Sequence, residues 1–239
     1  MVYGMAASAL WVNKFTPKLE GQGLKLDMGK MILCLMMVAG SSGFAQNVGV
    51  VSLKGPVTAG PSGKLQTVKI GSLVADGQTV KTGPGALVIL RFPDESRIKL
   101  KENTELVIHA PSNPKEKSGL DLVVGAVFTM VRKQPGRSFF VKTPVAVAGV
   151  RGTQFFTSYD KNVWMCVEEG AVEMTEDSHP TPVVVTAGMG IVVEKGKAIA
   201  PPKKYAWTKK LNWNMDPDKG DVVDKTVIEE YDLLKKNYD

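Results

Sequence analysis

The stretch SFFVKTPVAVAGVRGTQFF, residues 138–156, decides how this chain folds. Its valines are β-branched, and such residues favour strands over helices. Pro144 has no backbone N–H, so a strand must end there or lie at the edge of a sheet. Gly149 and Gly152 flank Arg151 and permit backbone conformations that other residues avoid. The stretch therefore predicts extended segments that meet at a junction carrying one charged side chain.

Short apolar runs of the same kind continue from residue 48 to residue 202. Glycine or proline interrupts these runs about every 8–12 residues, as is typical of an all-β sandwich, barrel or solenoid. Residues 97–100 and 105–109 alternate polar with apolar side chains, the pattern of half-buried strands. We therefore expect an all-β domain over residues 46–202, with a twisted solenoid-like or sandwich-like form.

Two pairs of similar strings suggest a weak internal repeat. GAVFTM at 125–130 resembles GAVEM at 170–174, and TPVAVAGVRG at 143–152 resembles TPVVVTAGMG at 181–190. The two offsets differ, 170 − 125 = 45 against 181 − 143 = 38, so the chain is not a rigid tandem array. The repeat predicts two similar β windings stacked on each other, and coincidence among valine-rich strings is the alternative.

The start of the chain predicts a signal peptide. An apolar core of about ten residues follows a basic segment, and the small residues Gly43 and Ala45 stand where a signal peptidase requires them. A membrane span needs about twenty apolar residues, so this core is too short to be one. We expect residues 1–45 to be removed by cleavage after Ala45. Residues 1–27 fit no part of a signal peptide, so Met28 is the alternative start.

Charge and cysteine content argue against several functions. The net charge is +6, but basic residues do not cluster with aromatic ones, so we expect no nucleic-acid binding. Cys34 lies in the expected leader, which leaves Cys166 alone in the apolar string VWMCV. We expect Cys166 to be a small buried hydrophobic residue rather than a reactive thiol.

The sequence contains no recognisable catalytic or metal-binding motif. His109 and His179 are its two histidines, and neither has a cysteine nearby, so we expect surface or turn positions for both. Glu168 and Glu169 are adjacent in a predicted strand, where alternation places them on opposite faces and not in one acid–base site. We therefore expect no enzyme activity, no cofactor and no metal.

The chain changes character after Pro202. Residues 203–239 are rich in lysine and aspartate, and we expect a linker with an aromatic patch followed by one short amphipathic helix. The helix is predicted from apolar residues at helical spacing: Val223, Val227, Ile228, Tyr231 and Leu234. We expect this helix to pack on the β domain, and docking to a partner is the alternative. Trp207 and Trp213, with Tyr205, are candidates for stacking on a sugar.

The order of several strings resembles the periplasmic domain of the FecR family, named for the ferric-citrate sensor that regulates a sigma factor. These strings are VVSLKGPV (50–57), VKIGSLVADGQTVKTG (68–83), ALVILRFPDESRIKL (86–100), GLDLVVGAV (119–127), FFVKTPVAVAGVRGTQF (139–155) and VEEGAVEM (167–174). The resemblance implies an all-β, twisted solenoid-like fold in the periplasm. It also implies a role in protein contacts or signal relay and not in catalysis.

Two departures from the FecR pattern matter. A cleavable signal peptide stands where sensors of this type have a cytoplasmic sigma-binding segment and a transmembrane helix, so we expect a freestanding exported module without a membrane span. The family shows Asp-Gly-Ser where this chain has Asp94, Glu95 and Ser96, and we expect a different turn there. The module would bind an envelope protein or act as a scaffold. Signal relay with a membrane or sigma-regulatory partner and cell-wall glycan binding are the alternatives.

Arg151 has two interpretations. Its five donors could satisfy carbonyls or a carboxylate at the strand junction, or it could contact a partner or an anionic ligand. The Thr153 hydroxyl could fix the local turn in either case. We favour the structural interpretation, and we name Arg151, Thr153, Trp207 and Trp213 as candidate binding residues.

Overall fold

The computed structural model describes residues 47–113 and 115–223, without the side chains of Ala206 and Trp207. The described chain forms strands with two short 3₁₀ helices, so the all-β prediction is confirmed. The expected leader with its cleavage site, and residues 224–239 of the expected C-terminal helix, lie outside the described residues.

The strands in chain order are β1 (Val48–Lys54), β2 (Val57–Gly60), β3 (Gln66–Thr67), β4 (Leu73–Val74), β5 (Thr79–Thr82), β6 (Leu87–Arg91), β7 (Arg97–Leu100), β8 (Glu105–His109), β9 (Ser118–Met130), β10 (Phe139–Lys142), β11 (Ala146–Val150), β12 (Gln154–Tyr159), β13 (Val163–Glu169), β14 (Ala171–Glu176), β15 (His179–Thr186), β16 (Met189–Val193) and β17 (Lys203–Lys204). The two 3₁₀ helices are Ala206–Lys210 and Pro217–Lys219.

Backbone hydrogen bonds arrange these strands in two sheets that share β9. The first sheet has the order β4-β1-β6-β7-β9-β12-β13-β16-β17. The second has the order β3-β2-β5-β8-β9-β10-β11-β14-β15. Among the described strands, only the pairing of β9 with β10 is parallel. Residues 118–124 of β9 belong to the second sheet and residues 125–130 to the first, so β9 lies at the centre of both.

One apolar core fills the space between the two sheets. Alternation along the strands sends Val88 and Leu90 of β6 into it from the first sheet, and Leu120 and Leu122 of β9 from the second. All four side chains are buried. The chain passes several times from one sheet to the other, so the fold is a β-sandwich with solenoid-like winding.

Gly125 marks the point at which β9 crosses between the sheets. Its φ is +103°, a backbone conformation that glycine tolerates and other residues avoid. A Cβ at this position would lie 2.5 Å from Thr104 Cα. The Thr104 hydroxyl accepts a hydrogen bond from Ala126 N–H at 3.0 Å and so closes the crossing. The crossing therefore needs a residue without a side chain.

The expected repeat holds for one pair of strings. TPVAVAGVRG contains β11 of the second sheet, and a corner then leads to β12 of the first sheet. In the same way, TPVVVTAGMG contains part of β15 of the second sheet, and a corner leads to β16 of the first sheet. The other pair is not equivalent, because GAVFTM enters the first sheet and GAVEM enters the second. A valine-rich alternating string fits any half-buried strand, so it does not encode which sheet the strand joins.

The turn between β6 and β7 keeps a left-handed residue although it lacks glycine. Glu95 has a φ of 68°, and Asp94 Oδ1 accepts a hydrogen bond from Ser96 N–H at 2.9 Å. We expected the missing glycine to change the turn, but Glu95 itself adopts the conformation that favours glycine. The hydrogen bond from Ser96 N–H to the Asp94 side chain stabilises this conformation, because it closes the turn locally.

Residues 203–223, which we call the C-terminal strap, cover the outer face of the first sheet. Tyr205, Leu211 and Met215 pack in a second apolar cluster on Phe128, Phe156 and Cys166 of that sheet. The expected linker therefore contributes to the packing of the domain. Cys166 is fully buried as predicted, and burial raises the pKa of its thiol to about 12, so the thiol stays protonated near neutral pH.

We predict that Gly125→Ala destabilises the fold far more than Gly136→Ala. Both glycines have positive φ, but a Cβ at Gly136 would meet nothing within 4 Å. The conformation alone costs about 1–2 kcal/mol, and overpacking against Thr104 adds about 1–3 kcal/mol at Gly125. Urea unfolding of both variants measures the difference, and equal losses would contradict the proposed crowding at the crossing.

Candidate functional site

Arg151 lies at the corner where the chain leaves β11 in the second sheet and enters β12 in the first. The predicted strand junction is therefore confirmed. The Arg151 side chain is exposed, and its guanidinium has no hydrogen-bond or ion-pair partner among the residues that the structure describes. The interpretation that Arg151 holds the windings together is thus wrong for the described chain, because the guanidinium faces solvent.

Thr153 holds this corner in place of Arg151. Its side chain is 2 % exposed, and its hydroxyl donates a hydrogen bond to the Ala171 carbonyl at 2.9 Å. Its own carbonyl accepts a hydrogen bond from Val131 N–H at 2.9 Å. These bonds tie the corner to the start of β14 and to the loop after β9. Thr153 is therefore placed to support a site at this corner and not to touch a partner.

The loop that follows β9 brings further positive charge to the same corner. Arg132, Lys133 and Arg137 are exposed, and none has a side-chain hydrogen bond or ion pair with another described residue. Gly152, next to Arg151, lies so close to Lys133 that a Cβ there would meet the lysine Cβ at 2.6 Å. We call Arg132, Lys133, Arg137 and Arg151 the basic corner.

The loop that carries the basic corner is fastened at several points. Arg132 N–H donates to Ser96 Oγ at 3.0 Å, and the side chain of Gln134 donates to the Asp94 carbonyl at 3.2 Å. Arg132 and Arg137 also line a cleft with room for about 20 Å³, where Asp94 and Glu116 bring negative charge. A space of this size holds about one water molecule, so the basic corner is a surface site and not an enclosed pocket.

Sequence reasoning found Arg151 but missed the other three residues of the basic corner. The string RKQPGR at 132–137 was the available signal, since it places three basic residues in a turn-forming segment. It lies well before Arg151 in the chain, and the bond from Val131 to Thr153 is what brings the two together. That bond depends on the pairing of β9 with β12, which no local pattern shows.

Lys99 is the second feature that the sequence did not reveal. It lies on the outer face of the first sheet, yet it is fully buried under the C-terminal strap. Its ammonium donates to the carbonyls of Asn212, Asn214 and Val222, and it lies 4.3 Å from the centre of the Phe128 ring. A buried charge requires such partners, so these bonds lock the strap to the sheet.

Arg97 adds a second polar link between sheet and strap. Its guanidinium donates to the Met215 carbonyl at 2.9 Å and lies 3.3 Å from the Asp216 carboxylate. Both Arg97 and Lys99 belong to the alternating string RIKL, in which alternation predicts solvent-facing side chains. The strap covers that side of the sheet, which therefore becomes part of the interior.

The aromatic residues of the strap do not form an open sugar-binding platform in the described chain. Trp213 packs edge-on against Phe128 with ring centres 5.3 Å apart, and its indole N–H donates to the Thr208 carbonyl at 2.8 Å. Its own carbonyl accepts a hydrogen bond from Gln154. Trp207 lies in a 3₁₀ helix, and its side chain is not among those that the structure describes. The Trp213 ring therefore packs between the strap and the first sheet.

The two histidines lie beside acidic residues. His109 on β8 is 3.0 Å from the Asp121 carboxylate, and His179 at the start of β15 is 3.0 Å from the carboxylate of Glu176. Glu176 is buried, and hydrogen bonds from Gly196 N–H and from His179 lower the pKa of its carboxyl. The described residues hold no cluster of three or more ligands suited to a metal ion.

Comparison with known proteins finds one family model that matches part of the chain. Residues 78–173 match the model of the family described as FecR protein. The FecR resemblance is confirmed over these residues. The matched segment contains β9, the basic corner and β13.

Two crystal structures of a candidate anti-sigma factor from Parabacteroides distasonis ATCC 8503, at 1.65 and 2.50 Å resolution, resemble the fold. Each has 20% sequence identity and a TM-score of 0.48, over 55% of this chain and 62% of that protein. The present chain therefore spans less than two thirds of that protein's length. No curated protein matches the chain, and among the described residues no helix has the length and apolar character of a membrane span.

We predict that Arg151→Ala leaves stability unchanged within about 0.5 kcal/mol, as is usual for an exposed side chain without partners. Thr153→Val keeps the shape but removes the hydroxyl that donates to Ala171, so it should cost about 1 kcal/mol. Urea unfolding tests both variants. A loss for Arg151→Ala as large as that for Thr153→Val would restore the structural interpretation of Arg151.

We predict that Lys99→Met destabilises the protein by about 1–3 kcal/mol, because it leaves buried carbonyls of the strap without a donor. The matched control is Lys81→Met, since Lys81 is a lysine on the second sheet with 45% of its side chain exposed and one ion pair to Glu105. We expect the control to change stability by about 0.5 kcal/mol or less. Equal effects in urea unfolding would show that the strap does not depend on Lys99.

Proposed function

We propose that this chain is a non-enzymatic exported module that binds an envelope protein in the periplasm. The observation that carries the proposal is the basic corner, where four exposed cations lie without partners among the described residues. Side chains that only stabilise a fold have partners within it, as Lys99 and Arg97 do. The FecR match supports a regulatory or binding role for the residues around the corner.

The chemistry of the basic corner favours an acidic protein segment as the partner. Three of its four residues are arginines, and the planar guanidinium binds carboxylates through two parallel hydrogen bonds. Single exposed ion pairs contribute little, about 0–1 kcal/mol each, but several like charges on one surface steer and orient an oppositely charged partner. We expect the basic corner to increase the specificity and the association rate of partner binding more than it increases the affinity.

The rigidity of the corner supports the same role. Bonds of Thr153 hold the backbone on one side, and bonds from Arg132 N–H and Gln134 hold the loop on the other. A partner would meet charges whose backbone positions are already set. Preorganisation of this kind reduces the entropy lost on binding.

Affinity purification from the envelope fraction tests the proposal. We expect the wild-type chain to retain a stoichiometric protein partner, and the double variant Arg132→Glu, Arg151→Glu to lose it. The matched control is Lys161→Glu, because Lys161 is also exposed but lies in the turn at the other end of the β12–β13 hairpin. The control should keep the partner.

Three results would overturn this function. Equal retention by the double variant and by the wild type would exclude the basic corner as the binding surface. Retention of the chain on insoluble wall material without a protein partner would favour a glycan ligand. Loss of binding in Lys161→Glu as well would indicate a response to overall charge and not to this corner.

Signal relay is the second candidate function, and the FecR match favours it. In that case the bound protein would be a membrane or sigma-regulatory component, and the corner would serve as the contact that transmits the signal. Deletion of the gene should then change transcription in response to an envelope stimulus. The Arg132→Glu, Arg151→Glu variant should fail to restore the response, while Lys161→Glu should restore it.

A further inference from the structure

Strand β15 ends the second sheet, and it differs from the other three end strands of the two sheets. The strands β3, β4 and β17 are each two residues long, whereas β15 has eight residues. Among the described strands, β15 pairs with β14 alone. An end strand carries a row of unpaired N–H and C=O groups, and proteins usually keep such strands short because these groups accept a further strand. The length of β15 therefore indicates a second use for its free edge.

The hydrogen bonds beside β15 show which of its backbone groups face this edge. Ala187 N–H donates to the Gly170 carbonyl at 3.2 Å, in the same register as the pairing of β14 with β15. Bonded and non-bonded positions alternate along an antiparallel ladder. Thr186, the residue before Ala187, is therefore in a non-bonded position, and so is Val184. The N–H and C=O groups of these two residues point away from β14.

The pairing on the other side of β14 gives the same result. Asp177 N–H donates to the Val145 carbonyl at 3.3 Å, in the register of β11 with β14, so alternation directs the backbone groups of Glu173 towards β11. Glu173 is the residue of β14 that lies opposite Val184. Since its N–H and C=O groups face β11, they make no bond to Val184, and the backbone of Val184 faces the free edge.

The second half of β15 lacks the features that usually protect an edge. Pro180 and Pro182 occur in the first half, and proline is tolerated in an end strand where the N–H would face outward. Residues 183–186 read VVVT, with neither proline nor a charged side chain. Proline and charge are the common means by which natural edges repel other strands. This half of β15 is therefore able to accept a strand.

We propose that the second half of β15 pairs antiparallel with β15 of a second copy of this chain. In the register centred on Val184, the two Val184 residues exchange both of their outward hydrogen bonds. Each Thr186 N–H then meets the Pro182 carbonyl of the other copy, so every outward N–H in residues 183–186 finds an acceptor. Antiparallel pairing of two identical strands has two-fold symmetry, which is the commonest symmetry of homo-oligomers.

Charge favours a second copy over a charged segment as the occupant of this edge. Residues 180–186 are uncharged, so two copies meet without repulsion, and an acidic or basic segment would find no opposite charge on the strand. Glu173 is exposed opposite Val184. The two copies of Glu173 would lie three strand spacings apart, about 14 Å. This distance exceeds the Debye length of about 8 Å at physiological salt, so their repulsion is screened.

The same geometry limits the assembly to two copies. Once both β15 edges are paired, the remaining end strands β3, β4 and β17 are two residues long and offer little for a further strand. One short strand pair buries less than the roughly 800 Å² per partner of a standard stable interface. We therefore expect a weak dimer in equilibrium with the monomer. This inference does not rest on the basic corner.

Light scattering of the purified chain over a range of protein concentrations tests the proposal. We expect the wild-type mass to rise towards twice that of the monomer as the concentration increases. Val184→Pro removes an outward N–H that has no part in the bonding to β14, and this variant should stay monomeric. The matched control is Val184→Ala, which keeps the N–H and should still dimerise. The double variant Arg132→Glu, Arg151→Glu should dimerise like the wild type.

A wild-type chain that stays monomeric at every concentration would overturn the proposal. Dimerisation of Val184→Pro to the same extent as Val184→Ala would place the interface elsewhere, and a mass that grows beyond two copies would contradict the closed pairing. Urea unfolding shows whether Val184→Pro keeps its fold. If it does not, Val184→Glu takes its place, because it sets two carboxylates about 5.5 Å apart across the pairing and should also stay monomeric.

Discussion

The fold depends on one constraint, which is that β9 belongs to both sheets. The strand can make this crossing because Gly125 combines a positive φ with the absence of a Cβ, so that Thr104 can approach and bond to Ala126. Four strands lie on each side of β9 in either sheet. The core between the sheets is therefore continuous, and a change at this crossing would disturb the pairing of both.

The two outer faces of the sandwich have different environments. The first sheet is covered by the C-terminal strap, whose apolar side chains pack on Phe128, Phe156 and Cys166. Lys99 is buried in this layer, where a charge costs several kcal/mol unless it has hydrogen-bond partners. The carbonyls of the strap supply those partners, and so the strap and Lys99 require each other.

The basic corner combines a backbone held by hydrogen bonds with exposed positive charge. Its backbone is held by bonds to Ala171, Val131 and Ser96, whereas its four cationic side chains extend into solvent. Such a surface suits recognition of an acidic segment, because binding would not have to order the loop first. The proposed contact and the residues that build the corner both fall in the segment that matches the FecR family.

The sequence by itself determined the all-β class, the strand junction around Arg151, the burial of Cys166 and the FecR resemblance. The first three follow from alternation, β-branched residues and glycine spacing, which act over a few neighbouring residues, whereas the resemblance rests on the order of the strings along the chain. Only the tertiary structure decided that Lys99 is buried, that Arg151 is free of partners among the described residues, and that Arg132, Lys133 and Arg137 join it. Each of these outcomes depends on long-range contacts, namely the strap over β7 and the pairing of β9 with β12, which local patterns do not encode.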